Sequence, residues 1–217
     1  MKIAVFGTGN VGDTIGSKLV ALGHEVRMGS RTNDHVKALA FVEKHQGKAA
    51  QGTFDEAAAE ADCIFNCTAG AGSIQALASV SPQHLQNKLL IDLANPLDFS
   101  SGLPPTLSIC NSWSLAEEIQ KNFPQLKVVK TLNTMWCGLM VNPGMIGGGE
   151  HQVFLSGNDA EAKARTREIL MSFGWKEDYI LDLGDLSTAR GTEMLLPLWL
   201  RIWGATKNGA FNFKIVS

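Results

Sequence analysis

Short apolar runs alternate along the chain with stretches whose apolar residues recur at helical spacing. The run KIAVF, Lys2–Phe6, reads as a strand. Val11, Ile15, Leu19 and Leu22 then mark one face of a helix, Gly23-His24 stops it, and residues 25–28 form the next strand. A helix is predicted over 34–45 and a short strand over 49–52. Thr53-Phe54-Asp55-Glu56 has the form of a capping box, in which Thr and Glu satisfy each other's backbone N–H groups, so it opens another helix. Strands follow at 62–66, 88–93, 128–132 and 152–156. A second capping box, Ser114-Leu115-Ala116-Glu117, starts a helix that runs toward Asn122. Residues 160–173 are strongly helical, and 186–203 form a last helix bent or interrupted at Pro197. Gly147-Gly148-Gly149 reads as a mobile surface loop. Strands alternating with helices predict an α/β fold, a doubly wound, mainly parallel sheet of Rossmann type with helices on both faces and a small C-terminal lobe.

The first strand-to-helix junction carries the most specific chemistry. Gly7-Thr8-Gly9-Asn10-Val11-Gly12 fits the G-x-G-x-x-G dinucleotide fingerprint, and it stands between a strand and a helix as the fingerprint requires. Gly7 allows the tight turn, Gly9 lets backbone approach a diphosphate, and Gly12 lets the helix pack on the strand. The free N–H groups and positive end of that helix would hold the anion. The second strand ends in Ser30-Arg31, where a carboxylate would favour NAD. Arginine instead offers a planar fork of donors to a 2′-phosphate, and the Ser30 hydroxyl can add another, so NADP(H) is the expected cofactor. Asn33 and Lys37 are close enough in sequence to assist.

Ligands of open α/β sheets bind beyond the carboxyl ends of the strands. Those ends read Asn66-Cys67-Thr68-Ala69-Gly70, Asp92-Leu93-Ala94-Asn95-Pro96 and Thr131-Leu132-Asn133-Thr134-Met135. Thr68, Ala69, Asn95 and Asn133 are expected to line the nicotinamide position, since small and amide-bearing residues leave the hydride-bearing face open. For each of them an ordinary turn or helix cap is the competing role.

Composition narrows the classes. A net charge of −2 and 45% hydrophobic residues give no sign of nucleic acid and enough apolar surface for a core. No apolar run is long enough to span a membrane, and the chain enters a strand at once, which leaves no room for a signal peptide; a cytoplasmic location is expected. Cys63, Cys67, Cys110 and Cys137 lack the spacing of a zinc site or disulfide framework, so no metal is expected. Cys63 and Cys67 are expected as reduced core residues. Tyr179 is the only tyrosine and Leu183 stands four residues on, so the Tyr-x-x-x-Lys pair of short-chain dehydrogenases is absent. His24, His35, His45, His84 and His151 are expected as solvated or capping residues, which leaves the catalytic residues unassigned. Leu195, Leu196, Leu198, Trp199, Leu200, Ile202 and Trp203 make the last helix apolar on nearly every side; core packing, a dimer contact and a pocket lid all fit.

The chain resembles the small NADPH-dependent reductases related to the oxidoreductase that passes hydride between NADP and the deazaflavin coenzyme F420. It is also similar to the reductase domain of membrane ferric reductases. The resemblance is carried by GTGNVG at residues 7–12, LGHEVRMGSR at 22–31 and VVKTLNTM at 128–135. Asp182-Leu183-Gly184, Leu186-Ser187-Thr188-Ala189-Arg190, residues 193–198 and the ending Phe211-Asn212-Phe213-Lys214 extend it over essentially the whole chain. It implies an NADP-binding domain over 1–150 and, over 151–217, a small lobe that closes the substrate pocket and contributes to a homodimer. It also implies a small-molecule redox acceptor, with coenzyme F420 or a flavin as second substrate. The deazaflavin-specific enzymes carry histidine where this chain has Asn133, and Ile-Pro or Val-Pro where it has Thr68-Ala69. A non-catalytic NADPH-binding sensor or regulatory protein is the alternative reading.

Overall fold

The computed structural model describes residues 1–216. In chain order the elements are β1 (Lys2–Phe6), α1 (Asn10–Ala21), β2 (Glu25–Ser30), α2 (Val36–Lys44), β3 (Ala49–Thr53), α3 (Phe54–Ala59), β4 (Cys63–Asn66), α4 (Gly70–Ala78), α5 (Pro82–Leu85) and β5 (Leu89–Asp92). They continue with β6 (Leu97–Asp98), β7 (Thr106–Leu107), α6 (Leu115–Asn122), β8 (Lys127–Thr131), α7 (Cys137–Val141), β9 (Val153–Gly157), α8 (Ala160–Phe173), β10 (Ile180–Gly184) and α9 (Ala189–Thr206). Eight strands form one sheet in the order β10-β9-β8-β5-β4-β1-β2-β3, and β6 and β7 form a separate hairpin. β1 to β5 and β8 run parallel, while β9 pairs antiparallel with β8 and parallel with β10.

Side chains alternate across the sheet, and both faces are buried, as crossover helices dictate for parallel strands. Ile3, Val5, Phe65, Ile91 and Val129 pack with α1, α2 and α8 through Ile15, Leu19, Phe41 and Ile169. Ala4, Phe6, Ile64, Leu90 and Val128 pack with α3, α4 and α6 through Phe54, Ala57, Leu77 and Ile119. The segment after residue 150 shares this sheet and this core, since β9 and β10 extend the one and Val153, Leu155 and Phe173 join the other.

Several elements differ from the sequence reading. α4 has the composition GAGSIQALA, whose glycines hide its helical period. Gly70 is required there because a Cβ would overlap the Asn95 carbonyl. Thr53 and Glu56 complete their capping box, but Ser114 and Glu117 form only half of one. The Glu117 carboxylate instead accepts from the Ser114 hydroxyl at 2.8 Å and from Arg190, whose Nε donates to its Oε2 at 2.9 Å. Gly147–Gly149 forms a tight 3-10 turn, and α9 continues through Pro197. His151, expected in solvent, is buried: its Nε2 donates to the Pro143 carbonyl at 3.0 Å, and Asn212 donates to its Nδ1 at 2.8 Å. Cys63 and Cys67 are buried free thiols; burial pushes the Cys63 pKa up to about 12 and raises that of Cys67 as well.

Candidate functional site

The carboxyl ends of β1, β2 and β4 open onto a groove of about 470 Å³. Its walls bring together Gly7, Thr8, Gly9, Ser30, Arg31, Thr68 and Ala69, seven of the residues expected from sequence. A smaller depression of about 150 Å³ lies at the opposite ends of β1 and β2, beside Lys2, Glu25 and Lys48, where parallel sheets do not bind ligands.

The fingerprint glycines divide their work. Gly7 has φ +109°, and a Cβ on it would lie 2.6 Å from the Cys67 carbonyl oxygen. Gly12 is buried, and a Cβ there would overlap the Gly7 carbonyl. Gly9, in contrast, has nothing within 4 Å of its Cβ position. The turn is therefore packed from behind and open in front. Gly9 is also the N-cap of α1, and no side chain caps that helix. The first N–H groups of a twelve-residue helix are thus left without a side-chain cap next to Gly9, which does line the groove; an uncapped helix start is the arrangement that holds a diphosphate. Asn10 and Val11 do not line the groove: Asn10 faces a shallower depression beside Thr8, Gly9 and Lys37, and Val11 packs against the core.

At the groove's other end, Arg31 is exposed and makes no ion pair among the described residues. Ser30 is buried and its hydroxyl donates to the Thr32 carbonyl at 2.7 Å, so that proton is committed to the turn. Asn33 is turned toward Glu56, at 3.3 Å. His35, expected as a solvated or capping residue, is the N-cap residue of α2 and joins the wall. Its Nε2 is 3.5 Å from the Thr8 hydroxyl and its buried Nδ1 has no partner among the described residues.

Asn95 and Asn133 hold each other. The Asn95 amide donates to the Asn133 carbonyl at 2.8 Å, and the Asn133 amide donates to Asn95 Oδ1 at 2.9 Å. They clasp the ends of β5 and β8 rather than line the groove. Behind them lies a charged network. Lys130, fully buried on β8, places its Nζ 2.8 Å from Asp92 and 2.8 Å from Glu193 of α9, and also donates to the Ala94 carbonyl. Burial works against its charge, but Asp92 and Glu193 outweigh it and hold the ammonium pKa above the usual lysine range. Glu193 also accepts from the N–H groups of Leu115 and Ala116 at 2.8 and 3.1 Å, so α9 caps α6. Asp92 accepts from Asn66 at 2.7 Å, and Thr68 donates to Asn66 at 2.7 Å, which carries the network to the groove wall. A lysine directly after Val128-Val129 in a buried strand is the sequence signal that could have pointed here.

The family model for NADP oxidoreductase, coenzyme F420-dependent, matches residues 2–96. A candidate F420-dependent NADP-reductase from Arthrobacter sp. FB24, known from its crystal structure, is 49% identical, with both chains covered in full and a TM-score of 0.95. The chain belongs to this family. It is an NADP-dependent oxidoreductase. It is also 28% identical to the metalloreductase STEAP3 of Rattus norvegicus over 204 residues, which are 91% of this chain but only 38% of that protein. An imine reductase from Aspergillus terreus, solved with NADPH4 and dibenz[c,e]azepine, shares the fold at 19% identity and a TM-score of 0.66, over 95% of this chain and 62% of that one. Among the described residues no helix is long and apolar enough to cross a membrane.

Proposed function

We propose that the groove binds NADPH and that the enzyme passes a hydride from it to a flat redox acceptor of the deazaflavin or flavin type. The observation that carries the reading is the open, uncapped start of α1 beside Arg31, which has no protein partner among the described residues. The residues fit the cofactor: Gly9 leaves room where a diphosphate must approach, and no carboxylate terminates β2 to repel a 2′-phosphate. Gly7, Thr8, Gly9 and the first turn of α1 would hold the diphosphate, and Arg31 the 2′-phosphate. Thr68 and Ala69, with Asn95 and Asn133 behind them, would fix the position of the nicotinamide. Bound NADPH supplies a hydride.

The protein's own contribution is then placement. Tyr179 and four of the histidines lie elsewhere: Tyr179 under the Lys214 ammonium, His24 by the N-terminus, His45 by Ser17, His84 by Asp55, and His151 is buried. No dedicated acid or base is assigned, and catalysis rests on proximity and orientation. Exposed Met194, Leu198 and Trp203 on α9 support a homodimer, and the free thiols Cys63 and Cys67 fit a cytoplasmic setting. A monomeric mass by light scattering at micromolar concentration would remove the dimer.

Stopped-flow oxidation of bound NADPH against a panel of deazaflavin, flavin and quinone acceptors tests the reaction. At least one deazaflavin or flavin is expected to oxidise the bound cofactor faster than free cofactor. Should none do so, the chain is an NADPH sensor rather than a reductase.

A further inference from the structure

Thr68 stands at the groove wall, on the loop between β4 and α4, and its hydroxyl is wired inward. We propose that this wiring makes Thr68 Oγ1 a one-way hydrogen-bond acceptor toward the groove. It would recognise a donor on the nicotinamide–ribose half of the cofactor, a carboxamide N–H or a ribose O–H. The inference rests on the cofactor reading given above and gives a direction to a contact which that reading leaves undirected.

The direction follows from a chain of partners that starts in the core. Lys130 donates to Asp92 Oδ2 at 2.8 Å, and the Ala94 N–H donates to Asp92 Oδ1 at 3.2 Å, so both carboxylate oxygens act as acceptors. Asn66 is fully buried, and one end of its side-chain amide lies 2.7 Å from Asp92 Oδ1. That end is the nitrogen, because an oxygen there would face an oxygen. The other end is therefore Oδ1. The Thr68 N–H, 3.3 Å from it, agrees, since a backbone N–H needs an acceptor. Thr68 Oγ1 lies 2.7 Å from the same Oδ1, a contact that only an O–H donor satisfies, so the single Thr68 proton is spent there. Ser73 closes the ring. Its Oγ accepts from the Asn66 amide at 3.0 Å, which turns its own proton to Thr68 Oγ1 at 2.8 Å.

A hydroxyl has one proton and two acceptor positions. At Thr68 the proton and one acceptor position are engaged by protein, and the second acceptor position meets no donor among the described residues. Asn66, Ser73 and Asp92 are buried, whereas Thr68 is partly exposed and lines the groove, so the free position belongs to the groove side. An acceptor locked in this way favours ligand donors. Carbonyl and phosphate oxygens could only face it lone pair to lone pair. The uncapped start of α1 has the opposite preference, which polarises the wall between its two ends. The same wiring withholds the Thr68 proton from acid catalysis.

The test measures calorimetric affinities of the full chain for three probes. They are NADP⁺, its 3-acetylpyridine analogue, which keeps the carbonyl on the ring but lacks the amide N–H, and adenosine 2′,5′-bisphosphate, which carries the phosphoadenosine end alone. Thr68→Val keeps the shape and removes the acceptor, and Thr68→Ser keeps the acceptor. Thr68→Ala takes the valine variant's place should circular dichroism show that variant unfolded. Thr68→Val is expected to weaken NADP⁺ about threefold to tenfold, the range for one neutral hydrogen bond, and to leave the bisphosphate unchanged; Thr68→Ser should bind like the natural chain. With that loss in hand, an analogue indifferent to Thr68→Val identifies the amide N–H as the donor, and an analogue weakened as much as NADP⁺ identifies a ribose O–H. Equal NADP⁺ affinity in the natural chain and Thr68→Val, or an equal loss for the bisphosphate, overturns the inference and leaves the cofactor reading standing. A natural chain that binds neither NADP⁺ nor the bisphosphate overturns the cofactor reading itself.

Discussion

The two walls of the site are built by different means. At β1, α1 and β2 the chain uses backbone: two glycines packed against carbonyls, one glycine left open, and a helix start without a cap. At β5, β8 and α9 it uses side chains, with Lys130, Asp92 and Glu193 buried together and the Asn95–Asn133 clasp in front of them. The first wall leaves the start of α1 uncapped and Arg31 without an ion pair among the described residues. The second has its polar groups spent on one another, which fixes the ends of β5 and β8. The contrast separates a surface made for binding from a scaffold made for position.

The largest effect is expected in the scaffold. Lys130→Met leaves two buried carboxylates without their ammonium and should cost about 3–5 kcal/mol in denaturant unfolding. Because the folded pKa of Lys130 is raised, its stabilisation is fully present below the ordinary lysine range and is lost only as pH rises through the folded value. The natural chain should therefore lose this contribution at strongly alkaline pH, and the variant should not. A variant as stable as the natural chain at neutral pH would break the comparison.

The binding wall should respond in affinity, and in stability only where a glycine packs on backbone. Gly12→Ala places a methyl on the Gly7 carbonyl and should cost about 1–3 kcal/mol of stability or more, with cofactor binding lost alongside. Gly9→Ala has room, so its thermal midpoint should stay near that of the natural chain while NADPH affinity falls at least tenfold, through the approach it blocks. Equal stability losses in both would contradict the division of labour between the glycines. Arg31→Glu should weaken NADPH about tenfold to a hundredfold, the worth of a hydrogen bond to a charged group, and leave NADH nearly unchanged.

The smallest expected effect is at the link between α6 and α9. Burial raises the Glu117 pKa, but hydrogen bonds from Arg190 and Ser114 outweigh it and hold the carboxyl below its usual range. Its stabilisation is thus present above the ordinary carboxylate range and lost as pH falls through the folded value. Glu117→Gln should lower stability at neutral pH, by less than Lys130→Met, and leave it unchanged in strong acid. A flat difference across pH in chemical denaturation would remove this ion pair from the account.

The same contrast explains what could be read from the chain. The glycine turn at residues 7–12 and the strand-and-helix alternation were legible because backbone needs impose residue types at fixed spacing. β10 and α4 were not, since an edge strand with exposed Leu181 and a glycine-rich helix lose their hydrophobic period. Asn95 and Asn133 were placed at the correct edge, but which partner each amide chooses depends on strand order, which brings residues 38 apart into contact. Glu193 shows the same limit. On an apolar helix it reads as a solvated residue, and only the tertiary fold sets it over the N-terminus of α6. His35 needed the turn after β2 to swing it into the groove.

The central claim is that this groove selects a phosphate-bearing dinucleotide through Arg31. Titrating the natural chain with NADPH and with NADH, followed by cofactor fluorescence at one ionic strength, tests it most directly. NADPH is expected to bind about tenfold to a hundredfold more tightly; equal affinities, or a preference for NADH, would contradict the account.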